Sequence, residues 1–103
     1  MKFDRNTAKQ ICNDSELDLF DDSLGRKLEA HSAAELNQKI KRAREFRNKY
    51  QDLFRRQSLE MLDSTGNKQG NSLSANSRTE QKIDLMSEIL ERFEKQLQTI
   101  QEN

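Results

Sequence analysis

The sequence predicts an all-α protein: an antiparallel helical hairpin of coiled-coil type with a short helical, acidic N-terminal leader, open to assembly into a helical bundle. Three observations predict it. The 103 residues hold no Pro and three Gly, too few turn formers for a sheet fold. Two segments repeat apolar residues at alternating spacings of three and four, the period of a helix seam. Each of these segments opens on a Ser-x-x-Glu capping box. The length suits one small domain. With 35% of residues charged and 32% hydrophobic, its helices need something to cover their apolar sides.

The leader, residues 1–31, is acidic, with seven carboxylates against five cations. Within it Leu17, Phe20, Leu24 and Leu28 stand at helical spacing, which predicts one or two short helices. Gly25 interrupts them, since Gly costs about 1 kcal/mol relative to Ala inside a helix.

Residues 32–63 follow as a long basic amphipathic helix. Ser32 and Glu35 form its capping box: the Ser hydroxyl accepts the Glu N–H while the Glu side chain reaches back. Leu36, Ile40, Ala43, Arg47, Tyr50, Phe54, Gln57 and Met61 make a heptad seam with two polar interruptions, widened by Phe46 and Leu53. Residues 64–77 are rich in Ser, Asn and Gly and read as a flexible linker. Ser77 and Glu80 give a second capping box. An acidic heptad helix over 78–103 then carries Ile83, Met86, Leu90, Phe93, Leu97 and Ile100. Folding back would set Met61 near Ile83, Phe54 near Met86 and Leu90, and Ile40 near Ile100. It would also set Arg47 near Glu94 or Glu91, an ion pair able to fix register. Leu85 and Ile89 lie beside the second seam and require cover from the leader or from a second chain.

Chemistry is sparsely provided. A nucleophile needs a base, and a zinc site needs about four ligands, whereas the chain has one His, His31, and one Cys, Cys12. His31 reads as a polar residue before a helix cap, and Cys12 as a small apolar one. The cluster Asp14, Glu16, Asp18, Asp21 and Asp22 lacks the glycine and spacing of a calcium loop. No catalytic residue, metal or cofactor is expected. A single Cys, an N-terminus without an apolar core and the lack of a long apolar run predict a cytoplasmic or nuclear protein without a membrane span.

Net charge is zero but unevenly placed: residues 32–57 hold eight cations and three carboxylates, residues 79–103 three cations and six carboxylates. The stretch KIKRAREFRNKYQDLFRRQ, residues 39–57, therefore invites a nucleic-acid reading. On a helical projection of about 100° per residue, Leu36, Ala43, Phe46, Tyr50, Leu53 and Phe54 gather on one side. Lys41, Arg42, Arg44, Lys49, Arg55 and Arg56 spread over the opposite side, with Glu45 and Asp52 placed for i,i+4 pairs. The aromatic residues lie on the apolar side, poorly placed to stack on bases. The expectation is a non-enzymatic protein–protein interaction module, an oligomerisation or adaptor unit or a subunit of a larger assembly. It would act through Ile40, Tyr50, Phe54, Ile83, Met86, Leu90, Phe93, Leu97 and Ile100 on a protein partner or on a second copy, as a dimer or higher oligomer. The alternative is a small nucleic-acid-associated regulator gripping phosphates with the six basic residues of the outer face.

Overall fold

A computed structural model describes the backbone of residues 3–63 and 69–102 and the side chains of residues 3–60 and 76–102. Among the described residues five helices follow in order: α1 (Arg5–Ile11), α2 (Asp14–Asp22), α3 (Gly25–Ala30), α4 (Ala33–Asp63) and α5 (Gln69–Glu102). Together they form a rod of 56 × 23 × 20 Å.

Local chemistry sets most helix starts. The Asp4 carboxylate accepts the Thr7 N–H at 2.8 Å and begins α1. Asn13 and Glu16 begin α2 with a reciprocal box, each side chain accepting the other's backbone N–H at 2.9 Å. Ser23 closes α2, its hydroxyl donating to the Phe20 carbonyl. Gly25 then takes φ +51°, a left-handed value that turns the chain away from the α2 axis. The Ser32–Glu35 box starts α4, with bonds of 3.0 and 3.2 Å.

Helices α4 and α5 pack along their lengths as an antiparallel hairpin: Arg44 reaches Glu94 at one end and the Asn76 amide lies 3.5 Å from the Ser58 hydroxyl at the other. The connection is shorter than the sequence predicts. Residues 69–77 belong to α5, and Ser77 is an exposed residue inside the helix instead of its cap. Ser and Asn each cost only a few tenths of a kcal/mol inside a helix, and Gly about 1. At the end of this stretch half-buried Asn76 reaches Ser58 of α4, and Thr79 beyond it is buried. Residues 64–68 of the expected linker and the side chain of Met61 lie outside the described residues.

One core runs through the rod. Leu36, Ile40, Ala43 and Tyr50 of α4 meet Leu85, Met86, Ile89, Leu90 and Phe93 of α5, and all are buried. The N-terminal segment covers the open side of this hairpin with Phe3, Ala8, Leu19 and Phe20. Leu85 and Ile89, which required cover, are fully buried. The stripe expected in the segment is only partly met: Phe20 is buried, but Leu17, Leu24 and Leu28 are half-exposed. Three short helices set at angles cannot keep one continuous stripe. The inward face of α2 is Glu16, Leu19, Phe20 and Ser23, an i, i+3, i+4, i+7 set with a polar residue at each end. Replacing Phe93, fully buried at the centre, by Ala is expected to lower stability by about 3–5 kcal/mol. Urea unfolding followed by circular dichroism measures it; a change near zero would mean that the core does not close around this ring.

Candidate functional site

The fully buried carboxylate of Glu16 is where α2, α4 and α5 meet. One oxygen accepts the hydroxyl of Tyr50 from α4. The other accepts the Asn13 N–H at 2.9 Å and the ammonium of Lys82, from α5, at 3.3 Å. Lys82 also donates to the Tyr50 hydroxyl at 3.3 Å and sits over its ring, 4.8 Å from the centroid. Each oxygen of the carboxylate therefore has a partner, the condition for burying a charge without a large penalty.

A second tie lies along the same face. Arg92 pairs with Glu88 at 2.7 Å, donates to the Ser23 hydroxyl at 3.3 Å and stacks its guanidinium over Phe20 at 5.6 Å. Lys39 pairs with Asp22 at 2.8 Å. A His31 ring nitrogen bonds the Asp22 carbonyl at 3.1 Å while its ring packs tilted against Phe93, 6.1 Å between centroids. His31 is thus a structural residue holding the α3–α4 corner.

The electrostatics of this cluster hold its protons in place. Burial, then the bond to Glu16, pushes the Tyr50 hydroxyl above its ordinary range. Burial alone would lower Lys82, but the Tyr50 bond and the Glu16 charge outweigh it, so Lys82 is raised. Burial, then Glu16, lifts the Cys12 thiol from 9.0 to about 11 despite Lys82. A general base at neutral pH needs the opposite tuning for Tyr or Lys, and a reactive thiol needs it for Cys.

The residues expected to bind partners fall into two groups. Ile40, Tyr50, Met86, Leu90 and Phe93 are buried within the chain itself. Phe54, Ile83, Leu97 and Ile100 are half-buried along the hairpin. Arg47 does not take the Glu94 carboxylate assigned to it; Arg44 does, at 3.2 Å, one helical turn earlier. The Arg47 Nε is buried with no hydrogen-bond partner among the described residues. Arg44 stands at the seam edge, where a long side chain can bridge to α5 while its charge stays in water.

The six outer basic residues are all exposed but differ in engagement. Arg44 bridges to Glu94, and Arg55 and Arg56 both reach Asp52, at 3.6 and 3.2 Å. Arg42 lies over Phe46 and Lys49 over Tyr50, each 5.5 Å from the ring centroid. Among the described residues Lys41, Arg42 and Lys49 make no ion pair within 4 Å. Lys82 and Arg92 are not singled out by the sequence, and Glu16 stands out there only as one of five clustered carboxylates. The only signal was local: Asn13 and Glu16 share the capping spacing, which marks Glu16 as the third residue of a helix but says nothing of Tyr50 or Lys82.

Comparison with known protein families, with curated proteins and with solved structures finds no match.

Replacing Lys82 by Met leaves the Glu16 charge buried without its counter-ion and is expected to cost about 3 kcal/mol. Adding Glu16→Gln should recover at least about 1 kcal/mol of that sum, read from urea unfolding as a double-mutant cycle. Additive losses would show that the two side chains are not coupled. Stability should also fall in alkali. Tyr50, Lys82 and Cys12 all hold their protons more tightly folded than unfolded, so the unfolded chain releases protons first as pH rises. For Cys12 the loss opens near its ordinary 9.0 and is complete once the pH passes about 11. Urea midpoints across that range measure it, and a flat profile would contradict the cluster.

Proposed function

We propose that the chain is a small non-enzymatic protein–protein interaction module of the coiled-coil type, an adaptor or a subunit of a larger assembly, acting in the cytoplasm or nucleus. One observation carries the reading: the centre of the apolar seam is spent within the chain. Met86 and Phe93 are fully buried and Leu90 is 4% exposed, against residues of the same polypeptide. A seam closed in this way leaves a pre-folded rod whose outer charged faces are available. A rigid surface loses little ordering entropy on binding, which favours recognition by a docking partner.

This reading moves the contact surface from the seam to the outside of the hairpin. Self-association through Met86, Leu90 and Phe93 would require the hairpin to open, so the binding partner is a protein that meets the closed rod. The rival is phosphate binding by Lys41, Arg42, Arg44, Lys49, Arg55 and Arg56. It is weakened by the intramolecular carboxylates that already hold Arg44, Arg55 and Arg56.

Light scattering of the purified chain should give the mass of a single 12.1 kDa polypeptide. The chain recovered from its native cells should carry a protein that rebinds, once purified, at fixed stoichiometry in calorimetry. Recovery of nucleic acid, with an affinity that falls steeply as salt rises and no stoichiometric protein, would overturn the reading.

A further inference from the structure

Three adjoining clefts of about 440, 330 and 300 Å³ run along one edge of α4, and Arg42 lines all three. The first lies between α2 and α4, and the other two are shallow clefts lined by side chains of α4 alone. Lys39, Arg42, Phe46 and Lys49 stand at i, i+3, i+7 and i+10, so they form a single straight stripe on the helix. Lys41 flanks it and Lys27 closes the α2 end.

The lining is basic on balance. Five cations face three carboxylates, Asp18, Asp22 and Glu45. Asp22 is already neutralised by Lys39 at 2.8 Å. Lys27, Lys41, Arg42 and Lys49 make no ion pair within 4 Å among the described residues. In the middle of the stripe Phe46 is half-buried, an apolar surface set among these cations.

Resting on the interaction-module reading, we infer that this edge is a docking groove for an acidic amphipathic helix of a partner protein, with carboxylates placed for Arg42, Lys41 and Lys49 and an aliphatic side chain laid against Phe46. The stripe has the i, i+3, i+7, i+10 geometry that a helix presents to a helix packed beside it. Charge complementarity selects the acidic partner. Nucleic acid fits less well. A polyphosphate carries about one charge per 1.7 Å of duplex and cannot avoid Asp18 and Glu45, whereas a peptide helix can place neutral residues opposite them.

The test uses the full chain and a fluorescein-labelled helical peptide built of Glu, Leu and Ala. Fluorescence anisotropy should show saturable binding. Arg42→Glu combined with Lys49→Glu, both exposed positions, should weaken it about tenfold or more. A peptide in which Ser replaces each Leu should bind several-fold more weakly, as should the Phe46→Ala chain, and circular dichroism checks that the variants stay folded. Absence of peptide binding, or indifference to the charge reversals, overturns the inference. If a stoichiometric protein still binds the chain elsewhere, the interaction-module reading survives that result. Tighter, steeply salt-dependent binding of an oligothymidylate of equal charge would overturn both. A dimer in light scattering that the charge reversals dissolve would assign the groove to a second copy and overturn the occupant named here.

Discussion

The fold turns on burying one carboxylate. Glu16 is fully enclosed, and what makes that possible is that α2, α4 and α5 each deliver a donor to it. A buried ion pair contributes little net stability compared with well-packed apolar groups, but breaking one side of it is costly. Such an interaction is therefore better at selecting an arrangement than at stabilising it. It accepts only the placement in which Tyr50 and Lys82 converge on α2. The Arg92–Ser23–Phe20 contact repeats that logic about three turns further along α5.

This explains why the N-terminal segment is part of the domain and not an appendage. Helices of seven, nine and six residues are too short to persist alone in water. Two long helices, for their part, leave Leu85 and Ile89 uncovered. Each half solves the other's deficit, and the polar contacts fix the angle at which they meet. The same closure buries the centre of the apolar seam and leaves outside a basic α4 edge and the carboxylate-rich face of α5.

Much of the architecture was legible in local chemistry. The Ser32–Glu35 box marks the start of α4 because the bond is made within one turn and needs no tertiary help. The three-four spacing of Ile83 to Ile100 marks the inner face of α5 for the same reason. The start of α5 was misread because Ser, Asn and Gly are weak helix formers, and their preference yields when the neighbouring helix offers packing. Arg47 was misassigned because spacing locates a residue on a face, while the reach of a long side chain decides which neighbour it meets; Arg44, at the edge, meets Glu94.

By itself, then, the sequence determined that the protein is helical, that two long helices pair and which of their faces is apolar. Periodicity and capping act over one or two turns, and one or two turns can be read in a line of letters. Only the tertiary structure decided that Glu16 is a core residue, that Lys82 is its counter-ion and that Lys39 and Arg42 border a cleft beside α2. Those contacts join positions 34 to 66 residues apart or depend on how α2 lies across α4. No local spacing encodes a meeting point that exists only once three helices have packed.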